Sequence, residues 1–365
     1  MPIIDQNDLK KVKEYQEFVS SVSDTHFIQD PRWAKVHHNL KAEFVTVVDA
    51  QGKITEAATV YVRPIAMGYS LLYVNRGPVS PKHNLEAIHE IICEIRPLVA
   101  KYKAFAIRFD PNWQYDEKEE ERFKAAGLKI RGKGFSKRDL VMSRRSMVFY
   151  LKDRTFDQIM SMFRIKTRRN VNKSLRNGLT LEEGFTKEHL DIFMKILEET
   201  AIRDGIEHRP REFFELIAQN FSHDEARLYL AKKDDEYLAG TVGMNYAGHL
   251  YYYHSGSTGR LRNLLPNYFL QHALINWAVD SHCHTYDMGG IISEDISDGL
   301  YQFKIGFCNE EGLQEYYGEI DYPTKPLIYK GFIIAYGMLQ KHRSRQVAKA
   351  VKQKQQEEKH EEDSD

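Results

Sequence analysis

One lysine stands inside an otherwise aromatic and aliphatic run, Leu300-Tyr301-Gln302-Phe303-Lys304-Ile305-Gly306-Phe307. A buried ammonium is costly unless partners compensate it, so two readings follow. In one, the run is a strand whose Lys304 points to water while its neighbours face the core, because the lysine stem snorkels readily. In the other, Lys304 is a functional cation in a partly dry pocket. A second concentration of charge lies upstream. Residues 129–176 hold fifteen Lys or Arg against Asp139, Asp153 and Asp157, a local excess of twelve positive charges in a chain of formal net charge zero. Such a segment can receive a polyanion, or be the solvated face of a helix, or be drawn to anionic lipid.

The elements that must position these residues follow from periodicity. A helix near Leu9–Val22 precedes strands at 44–49, 55–62 and 70–79, then a helix over Leu85–Tyr102 and a strand at 104–111. The order returns later in the chain: strands at 227–233, 237–246 and 249–257, a helix over Pro266–Ser281, and a strand at 285–290. Each half is a three-strand meander, a helix and a further strand, and that last strand carries an aspartate, Asp110 or Asp287. This is the core order of an N-acetyltransferase-type α/β fold, present twice.

Between the halves, Thr155 and Gln158 form a capping box. Phe156, Ile159, Met160, Phe163, Val171 and Leu175 continue one helical apolar stripe up to the stop at Gly178. Thr186 opens another helix that ends at Gly205. The predicted division is a first domain over 1–147, completed by about 318–340, and a second over 148–317. The charged tail, 341–365, holds too little apolar surface to join a core and is predicted to be a frayed helix passing into disorder.

Length points the same way: 365 residues are long for one hydrophobic core. Cys93, Cys283 and Cys308 have neither paired nor metal-ligand spacing, which indicates a reducing compartment and no zinc site. No signal-peptide core or membrane-spanning run is present. The expectation is a cytoplasmic monomer that needs no cofactor, with peripheral contact at the inner face of the membrane compatible with the charge pattern.

Several ordered motifs resemble the FemABX aminoacyltransferases: FIQDPRWAKV (27–36), YVNRGPV (73–79), RFDPNW (108–113), RIKTRRNVNKSLRNGL (164–179), RDGIEHRPREFF (203–214), YYYHSGS (251–257), YDMGGI (286–291) and LYQFKIGF. The resemblance runs to about residue 335. It implies two acetyltransferase-like domains in tandem and, with no sustained heptad insert for a coiled-coil arm, the compact FemX type. It also implies transfer of an amino acid from aminoacyl-tRNA to a stem-peptide amine, on UDP-MurNAc-pentapeptide or lipid II. Ala or Ser would be the donor residue, with Gly a third option.

The resemblance implies site residues as well. Lys304, after Phe303, occupies the place of the lysine proposed to stabilise the oxyanion, and an amine attacking an aminoacyl ester does place negative charge on the carbonyl oxygen. Lys35 and Arg209 match positions that hold the diphosphate of the precursor. Asp110 matches an aspartate suggested to contact the acceptor lysine or to serve as base, and its plainer reading is a turn or cap residue. Tyr252 matches a substrate-pocket tyrosine, or packs in the core. His254, Phe105 and Phe213 stand where tyrosines occur in the FemX type, and His254 is also a candidate base. The basic segment fits phosphate contacts with a tRNA acceptor stem.

Two other functions share these features. An acyl-CoA N-acetyltransferase would need a Q/R-x-x-G-x-G/A loop, which STGRLRNLLPN and VSPKHNLEA lack. A non-catalytic RNA-binding module would keep the basic helix without gathering Lys35, Arg209 and Lys304.

Overall fold

The computed structural model describes residues 2–131, 141–152, 154–291 and 293–338. The predicted tail at 341–365, together with Lys133, Lys137, Arg138, Asp139 and Asp153 of the basic segment, lies outside the described residues.

In chain order the first half holds α1 (Leu9–Ser21), α2 (Pro31–Val36), β1 (Lys41–Val48), β2 (Ile54–Pro64), β3 (Ser70–Asn75), α3 (Leu85–Lys101), β4 (Ala104–Asp110), α4 (Glu117–Ala125) and β5 (Lys129–Arg131). Then come β6 (Arg145–Tyr150), α5 (Phe156–Met162), α6 (Ile165–Arg176), β7 (Thr180–Glu183), α7 (Lys187–Asp204) and α8 (Arg211–Asn220). The second meander is β8 (Ala226–Lys233), β9 (Glu236–Tyr246) and β10 (His249–Ser257), followed by α9 (Pro266–Asp280), β11 (Thr285–Gly290), α10 (Gly299–Cys308), β12 (Leu313–Glu315) and β13 (Glu319–Pro323). Residues 326–338 are helical.

These strands make a six-stranded sheet, β1-β2-β3-β4-β13-β5, and a seven-stranded sheet, β12-β6-β11-β10-β9-β8-β7. Each contains an antiparallel meander and one parallel pair, β3/β4 in the first and β10/β11 in the second. The fold is therefore α/β with the acetyltransferase-type strand order twice.

The parallel pairs differ where it matters. β3 and β4 stay in register to the end, Asn75 opposite Asp110. β10 and β11 pair only from His249–Thr285 to Tyr251–Asp287 and then part. A register shift on β10 between Tyr252 and His254, and another on β11 between Asp287 and Gly290, mark the parting.

The run containing Lys304 is a helix, α10, and not the strand of the plainer reading. Asp298 caps it, its side chain accepting from the Tyr301 amide at 2.8 Å. The helix buries Lys304, Ile305, Gly306, Phe307 and Cys308, which explains its almost uncharged sequence. Gly306 permits a close crossing: a Cβ there would come within 2.1 Å of the Thr167 hydroxyl on α6. The basic helix is two helices rather than one, broken where Phe163 and Arg164 turn extended. The break lets Phe163 pack on Phe307 while α6 lies along α9 and α10. The capping box at Thr155 and the left-handed stop at Gly205 are both present.

One apolar core crosses between the halves, bringing Phe27 and Trp33 of the first against Phe213 and Tyr251 or Tyr253 of the second. Arg32 adds ion pairs to Asp30 at 3.0 Å and Glu225 at 2.8 Å. In the first sheet β13 is held by buried charges: Arg108 pairs with Asp321 at 2.6 Å and Glu319 at 2.8 Å, and Arg131 with Glu319 at 3.0 Å. Arg108→Met leaves buried Asp321 without its cation and Glu319 with Arg131 alone, and should cost about 3–5 kcal/mol. Denaturant unfolding checks this, and an unchanged midpoint would contradict it.

Candidate active site

The structure sets the sequence candidates in three places. The first is the fork between β10 and β11. Lys304, 5 % exposed, donates from Nζ to the Gly289 carbonyl at 3.0 Å and the Gly290 carbonyl at 2.9 Å. Gly289 has φ +80°, and a Cβ built on it would lie 3.7 Å from the Tyr252 carbonyl of β10. The ammonium therefore occupies the opening that the parted strands leave, compensated by carbonyl dipoles rather than exposed on a strand. Beside it a cavity of about 660 Å³ is lined by Tyr252, Tyr268 and Phe303, among others. Phe303 stands edge-on to Tyr268, centroids 5.1 Å apart. Burial raises the Tyr252 phenol, so the hydroxyl is neutral near pH 7.

The same cavity reaches the N-terminus of α9, where Leu265 caps without a side-chain bond. α6 adjoins it: the Asn177 amide donates to the Leu264 carbonyl at 2.8 Å. α6 buries Thr167, Val171 and Ser174 and turns Lys166, Arg169, Lys173 and Arg176 to solvent, with no acidic residue in the helix and no ion pair to these four among the described residues. Elsewhere in the basic segment Arg144 pairs with Glu315 and Glu120, Arg145 with Glu294 and Arg164 with Glu310.

The second place is the junction of α2 with α8. Lys35 and Arg209 are both exposed there. The Arg209 guanidinium lies 5.2 Å over the Phe213 ring, and Phe213 contacts Trp33 and His37, which flank Lys35. His254 packs edge-on against Phe213, Phe214 and Tyr253. Burial, then the Arg209 charge, push the half-buried His254 down to about 3. Burial, then Arg209 and Arg63, bring His37 to about 4. Both imidazoles are neutral at pH 7, in keeping with a cationic surface that repels further positive charge. Arg63, which the sequence reading did not single out, completes it. Its guanidinium is 4.5 Å over Tyr73, with no hydrogen-bond partner for Nε among the described residues.

The third place is Asp110, 1 % exposed at the closed end of the β3/β4 pair. It accepts from the Tyr73 hydroxyl at 3.1 Å and lies 3.7 Å from Arg76. Burial raises its pKa, against Arg76, the Tyr73 bond and Arg108. Arg76 was also missed, although it sits in the quoted NRGPV motif. It is buried, lies 4.9 Å over the Tyr316 ring, and feels both Asp110 and Asp287. Phe105 is wholly buried against Phe332.

Among the described residues no cluster of His, Cys, Asp and Glu could hold a metal ion, and no helix is long and apolar enough to cross a membrane. Comparison with known proteins gives a consistent picture. The family model of the FemAB family matches residues 11–239 and 231–337. The chain belongs to the FemAB family. It is 28 % identical to the UDP-N-acetylmuramoylpentapeptide-lysine N(6)-alanyltransferase of Weissella viridescens, over 90 % of this chain and 98 % of that one. It is 24 % identical to a lipid II:glycine glycyltransferase of Staphylococcus aureus, over 87 % and 93 %. A crystal structure of FemX superposes with a TM-score of 0.79 at 24 % identity, over 87 % of this chain and 97 % of that one. A tandem acetyltransferase from the clavulanic acid pathway gives 0.53 at 10 % identity, over 88 % and 97 %, and shares the fold. This FemAB-family chain is an enzyme of the N-acyltransferase class.

The depressed His254 makes a stability prediction. Between the ordinary histidine value and about 3, the unfolded chain binds a proton that the folded chain refuses. That part of the stability is therefore complete above about pH 6.5 and is lost at about 1.4 kcal/mol per pH unit below it. His254→Phe should lose about 2 kcal/mol less than wild type between pH 7 and pH 5. Melts at both pH values check this, and equal losses would contradict it.

Proposed function

We propose that this chain transfers an amino acid from aminoacyl-tRNA to the lysine amine of a peptidoglycan stem peptide carried on UDP-MurNAc-pentapeptide or lipid II. The observation that carries the reading is the Lys304 ammonium, held by two carbonyls where β10 and β11 part, next to a cavity lined by Tyr252 and Phe303. An ester carbonyl presented at the fork gains negative charge when the amine attacks, and a fixed cation in a water-poor site lowers that barrier by about 2.7–4 kcal/mol.

The donor side has the right partners for a charged nucleic acid. α6 ends near the cavity, where Asn177 bonds Leu264, and carries exposed cations, and phosphate contacts along it would position an acceptor stem without reading its sequence. Phe303 and Tyr268 give flat apolar surface for a terminal nucleoside. On the acceptor side, Lys35 and Arg209 are the exposed cations for a diphosphate, with Arg63 behind them. The donor would be a small residue, Ala or Ser before Gly, and relatives named for alanine and glycine transfer support the small size. Activity at the inner face of the membrane fits a lipid-linked acceptor.

The test combines charged tRNAs, both acceptors and a reading of product mass. Lys304→Met should lower kcat by roughly 10²–10³ and leave acceptor affinity nearly intact. Lys304→Arg should recover little, because a planar fork cannot place its charge where a compact ammonium does. Wild-type transfer by a folded Lys304→Met variant would sink this role. Lys35→Met with Arg209→Met should raise the acceptor KM at near-constant kcat, since a remote diphosphate is held alike in ground and transition states. An unchanged KM would remove the diphosphate assignment.

A further inference from the structure

A second cavity, about 300 Å³, opens where the two halves meet and is lined by Asp287 of β11, by Asp24 and His83 from the first half, and by Gln314 and Tyr316 after α10. None of its lining residues is Lys or Arg. Its chemistry suits a cation. Resting on the proposed function, we propose that this cavity receives the protonated acceptor amine and that Asp287 is the catalytic carboxylate that takes its proton.

The turn at the end of β11 carries the argument. Asp287 Oδ1 accepts from the Ser146 hydroxyl at 2.6 Å and from the Gly289 amide at 2.6 Å. Both bonds fall on one oxygen, so the carboxylate is oriented while Oδ2 keeps its acceptor capacity. Two atoms along the same residue, the Gly289 carbonyl accepts from Lys304. One turn thus fixes a negative group and a positive group, and the addition of an amine to an ester needs that pair: positive charge grows on nitrogen while negative charge grows on oxygen. β10 presents Tyr251 to this cavity and the next residue, Tyr252, to the larger one. Amine and ester would approach from opposite faces and meet at the fork.

Among the other titratable groups around Asp287, the histidines and phenols do not compete for the proton. His249 donates from Nε2 to the Ser23 carbonyl, so its Nδ1 must accept from Thr285, and both nitrogens are engaged. His83 stacks on Trp113 with Nε2 3.3 Å from Asp24. Tyr251 and Tyr316 are phenols that burial raises, so both are neutral at pH 7. Cys308, reached by the charges of both Asp287 and Lys304, is buried and raised. Arg76 lies behind Tyr316, shared with Asp110. Asp110 itself is enclosed beside a closed strand pair, whereas Asp287, its counterpart in the second half, lies at the open one.

The step balances as follows. The ammonium gives one proton to Asp287 as its nitrogen bonds the ester carbon. Collapse of the intermediate breaks the bond to the ribose oxygen, which leaves with the nitrogen's second proton. Asp287 then returns its proton to solvent.

The experiment is the acceptor kcat/KM from pH 6.5 to 9 for wild type, Asp287→Asn, Lys304→Met and Gln314→Lys. Wild type should be nearly level. Asp287→Asn should fall roughly 10²–10³ at pH 7 and recover about tenfold per pH unit, because it must wait for an amine of pKa about 10.4 to ionise in solution. Lys304→Met should lose the same factor at every pH. Gln314→Lys, which puts a competing ammonium at the partly exposed rim, should raise the acceptor KM about tenfold, and it decides the matter if Asp287→Asn does not fold. Wild-type transfer with an Asp287→Asn profile parallel to wild type, or with an unaltered Gln314→Lys KM, overturns the placement of the amine and leaves the Lys304 reading standing. No transfer by wild type overturns both.

Discussion

The two hydrogen bonds from the Lys304 ammonium to the Gly289 and Gly290 carbonyls are the contact on which the site depends. A charge this deep in the fold persists only when dipoles compensate it. Here the parting of β10 from β11 supplies them, because the carbonyls released from the ladder turn to the lysine instead. Three features hold Lys304 at that height: the Asp298 cap, the α6–α10 crossing that Gly306 permits, and the Phe307–Phe163 contact.

The two halves share a strand order but differ at the ends of their parallel pairs. In the first, β3 and β4 remain paired to their ends, and Asp110 is sealed there with Tyr73 and Arg76. In the second, the pair opens after three rungs and leaves room for chemistry. Arg76 leans from the closed end toward Tyr316 and Asp287, so the first half contributes electrostatics to the second. The shared core around Phe27, Trp33, Phe213 and Tyr251 fixes their relation, with the Arg32 ion pairs at its edge.

Much of this was legible in the sequence. Period-two runs and turn residues gave the doubled meander, and caps at Thr155 and Thr186 were read correctly because capping is local chemistry. The strand reading of LYQFKIGF failed because the helix buries its whole C-terminal half, Lys304 to Cys308, and its period is hidden among uniformly apolar residues. The single basic helix failed at Phe163, where tertiary packing on Phe307 overrides a continuous pattern. Arg76 and Arg63 stayed hidden because their meaning lies in rings and carboxylates distant in sequence. Asp287 had a visible signal, its correspondence to Asp110, but only the unequal pairing of the two strand ends distinguishes them.

The most direct measurement is a structure of the protein bound to a stable tetrahedral conjugate that joins the acceptor amine to an aminoacyl-nucleoside. The account predicts the nucleoside in the cavity lined by Tyr252 and Phe303, the peptide arm in the cavity lined by Asp287, and the tetrahedral oxygen within hydrogen-bond distance of Lys304 Nζ. A conjugate seated elsewhere, with Lys304 still bound only within the protein, would contradict it.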